Sequence, residues 1–83
     1  MTTDEALAEI RKALNAAAPS REAEFRNVRT PEDLEFLGLD SIAMLDIVDR
    51  LERQLGISFS DDFLLTLKSA RDLVNAIQEP KGR

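Results

Sequence analysis

The chain has 83 residues, a net charge of −5 and no His; 43% of it is hydrophobic, yet it holds no Cys, Trp or Tyr and only four Phe. These absences exclude disulfides, thiolate metal sites and the commonest transition-metal ligand, take away the usual base and thiol nucleophile of covalent catalysis, and leave little aromatic surface for stacking on bases. A chain this short forms one small domain that buries about 60 to 65% of its unfolded surface, which makes a deep internal pocket hard to maintain.

Asp4, Glu5, Glu9, Arg11 and Lys12 fall in the first twenty residues, so no apolar leader segment exists there, and no apolar run approaches the ~18 residues needed to span a bilayer. A cytoplasmic protein is expected. Thr2 and Glu5 have capping-box spacing, and Leu7, Ile10, Leu14 and Ala17 follow at helical intervals, predicting a first helix from about Thr3 to Ala17 that Pro19 ends. From Ser20 to Thr30 the periodicity is lost, leaving Phe25 and Val28 isolated among Ser, Arg, Glu and Asn. This reads as a long connection that crosses the domain and is pinned by those two residues. Thr30-Pro31-Glu32-Asp33 is a start signal, with Thr as N-cap and Pro at the first helical position, predicting one or two turns through Phe36 or Leu37.

Gly38 breaks that turn, and Asp40 is a good N-cap for the clearest helix of the chain, from Ser41 to about Leu55. Its Met44, Ile47, Val48, Leu51 and Leu55 form one stripe facing a core, and Gly56 supplies a left-handed C-terminal cap. After an extended link at Ile57 to Phe59, Ser60 caps a short helix with Asp61 and Asp62 in its first turn; Phe63, Leu64, Leu65 and Leu67 leave it almost no polar face, which predicts a loosely secured piece of core. Ser69 and Asp72 signal the last helix, whose buried face is Ala70, Leu73, Val74 and Ile77. Pro80 and Gly82 mark a flexible tail, so the domain spans 1–79 and the tail 80–83. The expected fold is all-α: a small bundle with three longer helices, one short helix and a long first connection.

Charge is unevenly placed. Residues 32 to 62 hold nine acids against only Arg50 and Arg53, a net −7, and the remainder of the chain is +2. The predicted negative face around the central helix attracts cationic partners and repels nucleic acid and anionic lipid. At the start of that helix Gly38-Leu39-Asp40-Ser41-Ile42 places a hydroxyl in the first turn with no base to activate it. A phosphate ester on Ser41 would meet the unpaired N–H groups and positive dipole end of the helix, so Ser41 reads as an attachment point rather than a catalytic nucleophile. Ile42 and Leu45 lie off the core stripe beside it and, with Asp46, Asp49 and Glu52, suggest a docking patch with an apolar centre and acidic rim. The plainer alternative is that Ile42 and Leu45 cover Phe25, Val28 or Leu34.

Leu37-Gly38-Leu39-Asp40-Ser41-Ile42, followed by Leu45-Asp46-Ile47, Gly56-Ile57, Phe59 and Leu67-x-Ser69-x-x-Asp72-Leu73, resembles the acyl carrier protein family over essentially the whole chain. The resemblance implies that Ser41 carries a 4′-phosphopantetheine arm, joined by a phosphodiester that a separate phosphopantetheinyl transferase forms from coenzyme A, with Asp40 helping to position magnesium at that step. It also implies a non-catalytic role: the arm's thiol holds acyl groups as thioesters and presents them to acyl-transferring or acyl-activating enzymes. Those enzymes would grip the Ser41 helix through basic patches, at positions matched here by Ile42, Leu45, Asp46, Asp49 and Glu52.

Phe36 stands where many fatty-acid carriers have an acid, Arg50 and Arg53 interrupt the acidic helix, and Arg21, Arg26 and Arg29 lie in the connection. These departures leave the pathway open between fatty-acid synthesis and a dedicated polyketide, lipid-modification or aminoacyl carrier. A peptidyl carrier shares the fold and the modified serine, although Leu39-Asp40-Ser41 and the acidic helix favour an acyl carrier. An acidic helical interaction module with Ser41 unmodified is the alternative from another class. The chain is expected to be a free-standing monomer that neither binds nucleic acid nor inserts into a membrane.

Overall fold

A computed structural model describes residues 1–78; the tail expected at 80–83 lies outside the described residues. The first helix, α1 (Thr3–Ala17), opens on the expected reciprocal cap: the Glu5 N–H donates to Thr2 Oγ1 at 3.1 Å, and the Thr2 N–H donates to Glu5 Oε1 at 2.8 Å. The backbone N–H of Thr2 holds the Glu5 carboxyl below its ordinary range.

The connection that follows is more ordered than its composition predicts. Pro19–Arg21 form a 3₁₀ turn, Glu22–Arg26 form a one-turn helix α2, and Phe25 and Val28 are buried as expected. A five-residue helix with one large apolar side chain has no periodicity to detect. It persists because Phe25 is anchored in the core, with the Arg21 guanidinium over its ring at 5.3 Å and paired with Glu24 at 2.9 Å.

Helix α3 (Pro31–Phe36) has its own capping box: the Asp33 N–H donates to Thr30 Oγ1, and Asp33 Oδ2 accepts the N–H groups of Arg29 at 2.9 Å and Thr30 at 3.1 Å. The Arg29 N–H foremost, then the Thr30 hydroxyl and N–H, keep Asp33 below the usual aspartate range. Helix α4 (Ser41–Leu55) ends where Gly56, at φ +69°, turns left-handed and the Ile57 N–H returns to the Glu52 carbonyl at 3.1 Å. After α5 (Asp61–Thr66), Asp72 Oδ2 accepts the N–H groups of Lys68 and Ser69 at the entrance to α6 (Ala70–Gln78).

The three longer helices α1, α4 and α6 share one apolar core: Leu7, Ile10 and Leu14 of α1, Ile47, Val48 and Leu51 of α4 and Leu73, Val74 and Ile77 of α6 are buried together with Phe25, Val28 and Leu34, and α1 packs on both α4 and α6. Each of these large side chains contributes about 1.5 to 3 kcal/mol by leaving water. No polar or charged residue is buried among those described. Polar ties sit at the margin, where Gln54 Nε2 donates to the Glu9 carbonyl and to Glu9 Oε1, Gln78 Nε2 donates to Thr3 Oγ1, and Arg71 pairs with Glu32 between α6 and α3.

Helix α5 departs from the expected piece of core. Its Ser60 cap is present, with the Phe63 N–H on Ser60 Oγ at 3.0 Å, but none of its residues is buried and Leu65 is 85% exposed. Three consecutive apolar residues point in directions about 100° apart on a helix, so one flat contact cannot cover them all. Phe63 instead stacks on Phe59 with ring centroids 5.0 Å apart. Among the described residues no helix is long and apolar enough to cross a membrane.

Candidate functional site at the start of helix α4

Two inward residues hold the outward serine. Gly38, at φ +68°, turns the chain out of α3; Leu39 packs against the core, and four residues after Asp40 Met44 is buried. Between them Asp40 adopts an extended conformation and caps α4: its Oδ1 accepts the Ala43 N–H at 2.8 Å and its carbonyl accepts the Met44 N–H at 2.9 Å. Ser41 is therefore the first helical residue, and it lies on the surface. Among the described residues the N–H groups of Ser41 and Ile42 make no hydrogen bond, and no cluster of Asp or Glu could hold a metal ion. No general base stands at the hydroxyl, because the chain has no His and the adjacent Asp40 is engaged as a cap.

Outside the core stripe, Ile42 is 79% and Leu45 52% exposed, while Phe25, Val28 and Leu34 are buried without them. The alternative in which Ile42 and Leu45 cover the connection is thereby set aside. Asp46 Oδ1 lies 3.2 Å from Arg50 Nε, out of line for a hydrogen bond and so a pairing of charge alone, whereas Asp49 Oδ2 accepts from Arg53 at 2.6 Å. Glu52 is turned toward the following loop, where its Oε2 accepts the Phe59 N–H at 2.7 Å. The rim acids are thus already partnered, two by i,i+4 arginines and one by backbone.

The sequence singled out Phe36, the last residue of α3, only as a departure from the family pattern; in the structure it is 85% exposed, five positions before Ser41. The signal was available: Leu34 is the buried residue of that helix, and a side chain two positions on points to the opposite side.

A capped helix start that presents a serine from a small all-helical domain, with no acid–base machinery beside it, is the architecture of a carrier domain. A family model described as a phosphopantetheine attachment site matches residues 28–77, more than half the chain. Two proteins named acyl carrier protein homolog are similar. The one from Ureaplasma parvum is 36% identical over 47 residues, 57% of this chain and 61% of that protein; the one from Mycoplasma genitalium is 35% identical over 74 residues, 89% of this chain and 86% of that protein. The chain belongs to the acyl carrier protein family, whose prosthetic group is covalent 4′-phosphopantetheine. No solved structure matches it.

Proposed function

We propose that Ser41 bears the phosphopantetheine arm and that the chain is a non-catalytic acyl carrier, delivering thioester-bound intermediates to enzymes of fatty-acid, polyketide or related biosynthesis. The observation that carries this reading is the exposed Ser41 hydroxyl at the first position of α4. A phosphodiester formed there would meet the positive end of a fifteen-residue helix, where the N–H groups of Ser41 and Ile42 could stabilise its charge. Asp40 commits Oδ1 to the Ala43 N–H, and its second carboxylate oxygen would help to hold the magnesium that the transferase brings. When bound, the arm supplies the thiol that a Cys-free chain lacks.

Partner enzymes dock on Ile42 and Leu45, with Asp46 and Asp49 meeting their basic patches. Because Arg50 and Arg53 already partner those carboxylates, an incoming cation displaces an intramolecular one, which makes docking weak and sensitive to salt. Glu52 adds negative charge to this face while its carboxylate holds the Phe59 N–H. The carrier works as a monomer in the cytoplasm.

Co-expression with a phosphopantetheinyl transferase tests the reading. Intact mass rises by one arm in the unaltered chain and stays constant in Ser41→Ala; no rise in competent cells points instead to an unmodified interaction module. Asp46→Lys with Asp49→Lys lowers turnover by cognate partner enzymes and leaves helicity unchanged, and equal turnover at low salt removes α4 as the docking face.

A further inference from the structure

We propose that the notch between α1, α2 and the start of α3 is a binding site for a phosphate-type oxyanion, separate from the Ser41 end of the molecule. The notch has a volume of about 340 Å³ and is lined by Arg11, Asn15, Glu22, Arg26 and Arg29. That is the low end of the size range of small-molecule sites, of order 300 Å³ upward. Three guanidinium groups from three segments converge on it, although the chain as a whole is acidic.

The groups differ in what they have free. Arg11 Nη1 donates to the Val28 carbonyl at 2.7 Å, which fixes its guanidinium plane and leaves its remaining N–H groups for the notch. Arg26 is held by Glu22 only at 3.7 Å, and the Arg29 guanidinium makes no ion pair among the described residues. Asn15 lies one turn after Arg11 on the same face, and its Oδ1 is buried without a hydrogen-bond partner. Such an orphaned acceptor costs free energy until a donor reaches it, which a hydroxyl on the ligand would do. Planar forked donors match the oxygens of a phosphoryl group, and a half-open notch lined by three of them suits a small ion better than the flat face of a protein. Glu22 opposes the anion, and when one binds, Arg26 exchanges the Glu22 carboxylate for it.

The test is titration of the ¹⁵N-labelled full chain with inorganic phosphate, pyrophosphate and ribose 5-phosphate, each against chloride at matched ionic strength. Shifts confined to residues around 11–15 and 22–29 are expected. Arg29→Gln and Arg26→Gln each weaken binding about tenfold, and Glu22→Gln strengthens it. Tighter binding of ribose 5-phosphate than of inorganic phosphate assigns the site to a phosphorylated hydroxyl compound; equal binding assigns it to the phosphoryl group alone. Shifts spread over all arginines, reproduced by chloride or indifferent to these substitutions overturn the proposal, as does binding of a polyglutamate peptide with none of the phosphate probes. Repeating the titration on Ser41→Ala gives the same result, because the notch is independent of the arm.

Discussion

Helix α4 spreads its apolar residues through fifteen positions and buries Met44, Ile47, Val48 and Leu51, whereas α5 crowds Phe63, Leu64 and Leu65 into six and buries none. Both begin on a side-chain cap, Asp40 in one and Ser60 in the other, so the start does not separate them. Spacing does. An apolar residue every third or fourth position gives α4 one face to bury and another to present, and that division frees Ser41, Ile42 and Leu45 for the surface. In α5 the apolar residues are contiguous, and the helix is held at the margin by Phe59 and by the half-buried Phe63, Leu64 and Leu67.

Four substitutions or conditions break this contrast, in decreasing order of effect. Leu51→Ala, at a fully buried position of α4, lowers unfolding free energy in urea by about 2 to 5 kcal/mol. Asp40→Ala removes the α4 cap and lowers stability by about 1 kcal/mol, and it also slows arm transfer, measured as the rate of mass gain. Acid titration followed by NMR has a smaller effect. Asp33 has a lowered folded-state pKa, so the stability it gives α3 is complete above the ordinary aspartate pKa and disappears as pH falls through the lowered value; Asp33→Asn removes that acid dependence. Leu65→Ser, at the exposed side of α5, changes stability by less than about 0.5 kcal/mol in the same urea experiment. A loss comparable to that of Leu51→Ala would show that α5 is part of the core.

The same contrast explains what could be read from the chain. The bounds of α1 and α4 were legible to the residue, because Thr2 with Glu5, Asp40 and Gly56 punctuate them and their apolar spacing leaves one answer. Helix α2 was not, since Glu22-Ala23-Glu24-Phe25-Arg26 holds a single large apolar residue and follows a 3₁₀ turn rather than a side-chain cap. The exposure of Leu65 was hidden by counting apolar residues instead of their directions. At the start of α4 the exposure of Ser41, Ile42 and Leu45 followed from the stripe. The Glu52 contact did not, because the Phe59 N–H it accepts lies beyond the end of the helix, seven residues away. The arginine notch was equally hidden, its members being scattered from Arg11 to Arg29 and gathered only by the fold.

Thr2, Thr30, Asp40 and Ser60 each bind an N–H three residues ahead, so α1, α3, α4 and α5 all set their own starting points. A nascent chain can fix those four registers by short-range events, before any distant segments have met. What is left to search is the docking of segments already in phase, joined by short links everywhere except between α1 and α3. The entropy still to be lost is that of bringing α1 against α4 and α6, which lie far from it in the chain.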